Sequence, residues 1–182
     1  MKITLDACVL YPTVMREILL GVAATGAFQP VWSARILEEW ARAARKLGPD
    51  GEAQARGEIA MLGATWPGAK APAAEHLEAR LWLPDPNDTH VLATAVSTSS
   101  SAIMTLNIKD FPKNILAEES VLRLTPDEHL HTLFQSHSAE VEAAAAQVLA
   151  AARRLSGKPW EMRALLKKAR LPRLAKALSK SS

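Results

Sequence analysis

Residues 83–112, LPDPNDTHVLATAVSTSSSAIMTLNIKDFP, decide the fold of this chain. They read as an acidic turn, a short amphipathic helix, a hydrophobic strand and a polar loop with one more acid. Asp85 and Asp88 stand just ahead of the helix, whose buried side is Val91, Leu92, Ala95 and Val96. The hydroxyl-rich residues 97–101 end it. Residues 102–106 are apolar enough to form a central strand of a parallel sheet, with Thr105, Asn107 and Asp110 at its end and beyond. This is an α/β arrangement, and it gathers acids and hydroxyls at one sheet edge.

Upstream, residues 2–10 (KITLDACVL) are too few for a helix and predict the first strand, interrupted by Asp6. An acid buried in a central strand is costly unless it is paired or holds a cation. A cap or turn at the strand end is the plainer alternative. Pro12 opens a helix to about residue 25, with Val14, Ile18, Leu19 and Val22 on its apolar face, and Gly26 ends it. Residues 30–33 are extended, and Ser33 is a good N-cap for a helix over 34–47. Ile36, Leu37, Trp40 and Ala44 form that helix's buried side. Glu39 borders the stripe, while Glu38 pairs with Arg42. Beyond the break at 48–51, the pattern predicts a helix over 53–66, a loop over 67–72, a short helix or irregular connection over 74–81 and a brief strand at 82–83.

Downstream, residues 115–124 hold a short helix and a last strand. A new helix opens at residues 125–128, an Ala-rich helix covers 140–155, and a basic helix covers 160–169. A final short helix precedes the SKSS tail. The whole reads as a parallel sheet of four or five strands flanked by helices over residues 1–126, followed by a helical appendage over 127–182.

The formal charge of +3 hides a polarity. Residues 153–182 carry 10 Lys/Arg and one acid, leaving 12 Lys/Arg and 18 Asp/Glu in residues 1–152. A basic end on an acidic body points to a polyanion or an acidic protein, or else to a solvated tail. Hydrophobic residues make up 48% of the chain but aromatics only 5%, which with the abundant alanine favours helices. The single cysteine, Cys8, lies in an apolar context, reads as a core residue and excludes a disulfide framework. No stretch resembles a signal peptide or a membrane span, so a cytoplasmic location is expected.

One cysteine and five histidines give no zinc spacing, and there is no GxGxxG or phosphate-binding loop. Carboxylates remain. Asp6 falls at the end of the first strand, Glu39 on a helix face, Asp85 and Asp88 before the next helix and Asp110 after a later strand. In a parallel sheet, sites form at the carboxyl ends of the strands. Acids converging there repel one another unless a divalent cation neutralises them, and oxygen-only ligation suits Mg²⁺ or Mn²⁺. Such a centre fits phosphodiester chemistry.

Four stretches carry a resemblance: Asp6 after a strand, SARILEEWAR at 33–42, PDPNDTHVLATA at 84–95 and TLNIKDFP at 105–112. Together they resemble the PIN-domain family, in particular the VapC-like toxin ribonucleases of bacterial toxin–antitoxin pairs. PDEHL at 126–130 and LPRLAKAL at 171–178 look like the C-terminal part of a subgroup with a helical extension. The resemblance implies a three-layer PIN-like fold and an acidic centre of Asp6, Glu39 and Asp88 for Mg²⁺ or Mn²⁺. Thr105 would orient a carboxylate or water. Where many relatives have a fourth aspartate this chain has Asn107, and Asp110 either takes over its metal-binding task or supports the loop. Asp85 is a supporting residue or shapes its turn, and His90 is a structural or supporting residue rather than a catalyst. The implied reaction is in-line attack of an activated water on RNA, leaving a 5′ phosphate. The implied partners are RNA, a small antitoxin and a second copy of the chain. Arg153, Arg154, Lys158, Arg163, Lys167, Lys168, Arg170 and Arg173 would track RNA or dock the antitoxin. Trp160 would stack on a base or pack the extension. The alternatives are a non-toxic PIN nuclease and an inactive PIN-like binding protein.

Overall fold

The structure, a computed structural model, describes residues 1–181. Strand β1 (Lys2–Leu5) is buried from Ile3 to Leu5 and pairs on both sides, so it is central as its apolar run requires. It stops sooner than the sequence predicted. Asp6 keeps an extended backbone, its carbonyl accepts the N–H of Val9 (3.0 Å) and Leu10 (3.2 Å), and helix α1 (Ala7–Leu10) follows. Four apolar residues can bury themselves as strand or as helical turn, and here Val9 and Leu10 do so from a helix.

Helix α2 (Thr13–Ala23) ends ahead of Gly26, whose φ of +89° suits glycine. Strand β2 (Gln29–Ser33) leads into α3 (Ala34–Ala43), and Ser33 Oγ accepts the N–H of Ile36 at 3.2 Å as the expected cap. A 3₁₀ turn (Ala44–Leu47) and α4 (Gly51–Thr65) come next, then β3 (Lys70–Ala71) and α5 (Glu75–Glu78). The third strand thus lies in the stretch expected as a loop. Residues 82–83, expected as a strand, form none: Leu83 is buried while Trp82 is 64% exposed. A second 3₁₀ turn (Pro86–Asp88) precedes α6 (Thr89–Ser97). Strand β4 (Ala102–Met104), α7 (Lys113–Glu118) and β5 (Leu122–Leu124) complete the sheet region.

The five strands lie in the order β3-β2-β1-β4-β5, as a parallel sheet flanked by helices. The α/β class expected from the sequence is the one the chain forms. Chain direction across the sheet reverses between β1 and β4, which makes their carboxyl ends the switch point where ligands bind in such sheets. The register pairs Leu5 with Met104, so the next residues, Asp6 and Thr105, emerge side by side.

Four further helices follow: α8 (Pro126–Ser136), α9 (Ser138–Ser156), α10 (Met162–Lys168) and α11 (Pro172–Ser181). Ser182, the last residue of the expected appendage, lies outside the described residues. The chain divides into two compact units, one of Met1–Tyr11 with Gln29–Arg123, the other of Pro12–Phe28 with Leu124 onward. In the second unit α2 packs on α9, where a Cβ on Gly21 would lie 3.1 Å from that of Ala144. Met15, Ile18, Leu19, Leu130, Val141, Leu165 and Leu174 build its core. Thr125 caps α8 by accepting the N–H of Glu128 and donating to its carboxylate at 2.7 Å. Gly157, at φ +64°, closes α9. No helix among the described residues is long and apolar enough to cross a membrane.

Candidate active site

The strand ends supply the buried half of the site. Asp6 is 6% exposed and Thr105 fully buried. The Thr105 hydroxyl donates to Asp6 Oδ2 at 2.7 Å and accepts the backbone N–H of Asn107 at 2.9 Å. That second bond fixes which way the hydroxyl proton points. The Cys8 thiol also donates to Asp6 Oδ2, at 3.1 Å, and its sulfur accepts the N–H of Leu106. Cys8 is therefore half-buried beside the acid rather than part of the core the sequence suggested. Burial first, and the Asp6 charge second, push its thiol up to about 12, so it stays protonated and serves as a donor.

The start of α6 supplies the other half. Asp88 occupies the N-cap position but makes no capping hydrogen bond, so its carboxylate is not consumed by the helix end. Asp85 does the local work instead, accepting the backbone N–H of Asn87 (2.9 Å) and its side-chain amide (3.0 Å). Asn107 donates from Nδ2 to Asp88 Oδ2 at 3.0 Å. Asn107 thus bridges the loop after β4 to α6 through a neutral donor.

Asp85, Asp88 and Asp110 each place a carboxylate oxygen within 4.8 Å of the others, a spacing that no other trio of potential ligands reaches among the described residues. Asp6 and Glu39 stand outside that triple, yet both charges bear on Asp88. Its carboxyl is pushed up to about 6, by burial first and then by Asp6, Asp85, Asp110 and Glu39. Among the described residues none of the four aspartates has an ion-pair partner. The oxygen-only donor set and this uncompensated charge fit a hard divalent cation.

Glu39 is held differently. Its Oε1 lies 2.7 Å from Nε2 of His90, the buried second residue of α6, and 3.7 Å from Arg35 Nε. The His90 contact is close, yet neither ring nitrogen makes a hydrogen bond. Arg35 also donates to Glu78 (3.2 Å) and to the carbonyl of Asn87 (3.3 Å), tying α3 to α5 and to the acidic turn. Sequence reasoning passed over Arg35, although its i,i+4 spacing to Glu39 was a usable signal.

The basic residues are spread over the helical unit. Arg153 donates to the carbonyl of Trp160 at 2.7 Å and lies 3.9 Å from Glu161, while Lys168 sits 5.0 Å over the Trp160 ring. Trp160 Nε1 donates to Ser156. These side chains join α9 to α10. Arg154, Lys158, Arg163 and Lys167 are exposed.

The sequence profile of the family described as PIN domain matches residues 2–109, more than half of the chain and all of the acid-bearing loops up to Lys109. Comparison with the curated proteins and with the solved structures returns no match. The matched span takes in Asp6, Glu39, Asp88, Thr105 and Asn107 on a parallel α/β sheet, and the chain belongs to the PIN-domain family.

Proposed function

We propose that this chain is a divalent-cation-dependent endoribonuclease that serves as the toxin of a toxin–antitoxin pair. PIN domains are in general nucleases. The observation that carries the reading is the unneutralised group around Asp88, whose carboxyl is raised by burial and then by four neighbouring acids. Structural acids are normally paired; a cluster left unpaired at a sheet switch point is arranged for a cation and a phosphate.

Asp88, Asp85 and Asp110 would hold Mg²⁺ or Mn²⁺, with Asp6 and Glu39 adding charge beside them. When bound, the cation supplies water activation and offsets the charge growing on the phosphate oxygens. The chain's own contribution is orientation. Asp6 Oδ2 is occupied by Thr105 and Cys8, and Asp88 Oδ2 by Asn107, which leaves the Oδ1 atom of each for a ligand. The Thr105 proton is committed to Asp6, so the hydroxyl steers the carboxylate and does not attack. His90 and Arg35 hold Glu39 against α6 and the acidic turn. The toxin role and the choice of RNA rest on the resemblance of the PDPND and TLNIKDFP stretches to VapC-like sequences.

The test is cleavage of single-stranded and structured RNA with Mg²⁺ or Mn²⁺ against a chelator. Asp6→Asn and Asp88→Asn should each lower kcat by roughly 100-fold or more. Cleavage that survives in both variants would remove the assigned centre. Growth arrest on expression of the parent, absent for Asp88→Asn, separates a toxin from a nuclease of RNA processing.

A further inference from the structure

The acids that build the candidate centre also repel the polyanion it would cut, so a ribonuclease of this design needs cations elsewhere to hold its substrate. The helical unit offers a built place for them. Helices α8 and α11 flank an open cleft of about 560 Å³. Along one wall run Arg173, Lys176 and Lys180, at i, i+3 and i+7, a single face of α11. Along the other run His131, Phe134 and Gln135, at i, i+3 and i+4 of α8. Lys176 and Lys180 are exposed and have no ion-pair partner among the described residues; Arg173 has a loose one, Glu128 at 3.5 Å.

The walls are held in register. The Asp127 carboxylate accepts the N–H groups of Arg173 (2.9 Å) and Leu174 (3.1 Å), so an acid of α8 caps the start of α11. This spends one nearby negative charge on a helix end, and Glu128, loosely paired with Arg173, is the other acid recorded beside these cations. Phe134 and His131 are both half-buried and both line the cleft.

We propose that the α8/α11 cleft is a second binding site, holding a single-stranded RNA segment by its phosphates and by stacking. The inference rests on the RNA-cleaving reading above. Lys176 and Lys180 are one turn apart, about 6 Å along the axis, a step suited to successive phosphates of an extended strand. The Phe134 and His131 rings offer the sequence-tolerant faces on which bases stack. An acidic peptide would use the cations but has no comparable need of two rings in the opposite wall.

The experiment uses the full chain carrying Asp6→Asn, without divalent cation, and a fluorescent single-stranded oligoribonucleotide read by anisotropy across a salt series. Adding Lys176→Glu with Lys180→Glu should weaken binding at least tenfold at low salt and lower the slope of log affinity against log salt by about 1.4. Phe134→Leu keeps the packing and should weaken binding with the slope unchanged. Circular dichroism confirms folding, which two exposed positions do not threaten. In the otherwise native chain the Lys pair should raise KM for a long RNA with kcat kept, and leave a dinucleotide substrate unaffected. Unchanged binding and KM in the Lys pair overturn the site. Loss of binding to a labelled oligo-glutamate, with RNA binding intact, would assign the cleft to an acidic protein and overturn it equally. Should the parent cleave nothing while the Lys pair still abolishes RNA binding, the nuclease reading fails and the cleft stands.

Discussion

Asp88 is where the site's electrostatics can be read out. Its carboxyl moves from an ordinary 3.8 to about 6, so the folded chain holds that proton more tightly than the unfolded one. Stability from this group is therefore complete below about pH 4 and is lost as pH rises through 6. After discounting for its partial contact with water, the loss is roughly 1–2 kcal/mol. In chelator at pH 8, Asp88→Asn should unfold at a higher temperature than the parent, and the difference should vanish near pH 4. Mg²⁺ should raise the melting temperature of the parent and not of the variant. Equal melting at pH 8 in chelator would mean that the acids do not strain one another. Thr105 makes the complementary case, because its hydroxyl serves Asp6 and Asn107 together. Thr105→Val should cost about 1–3 kcal/mol by stranding both partners, and it should lower kcat more than it changes KM.

At the scale of elements, short segments decide what the sequence can reveal. β1, β2 and β4 are legible because each is an apolar run bounded by a break, and α3 because Ser33 caps it. Ser33→Ala should cost about 1 kcal/mol in a denaturant titration, with Glu39 function impaired because the cap sets the start of its helix. β3 is not legible: two residues, Lys70 and Ala71, carry no periodicity, and pairing with β2 alone makes them a strand. Conversely Trp82 and Leu83 look like strand residues, and Leu83 buries itself without sheet bonds. The same limit applies to the site. Asp6 and Asp88 stand out locally, each an acid where a strand ends or a helix starts. Asp85 reads as a turn former, which it is, and only the approach of the loop carrying Asp110 makes it a member of the acidic triple. His90 against Glu39 spans α3 and α6, a contact that helical spacing within one segment cannot encode.

For the whole molecule, the division into two units follows the chain less simply than its charge does. α2 lies between two segments of the sheet unit in sequence but packs with the helices from residue 126 onward. Gly21 permits that packing. Gly21→Val should destabilise the helical unit by about 1–3 kcal/mol, visible as an earlier unfolding transition, with the sheet unit still folded at low temperature.

That placement of α2 bears on how the chain is made. β1 emerges first during synthesis but must wait for residues 102–104 before its second edge is paired. α2 waits longer still, until residues 138–156 appear. Through that interval α2, with its buried Met15, Ile18, Leu19 and Val22, lacks the helix on which it packs most. A polypeptide cut after residue 124 would retain every acid of the site and still expose this stripe. Such a fragment should aggregate as it leaves the ribosome, and sedimentation of the 1–124 fragment beside a soluble full chain would show it.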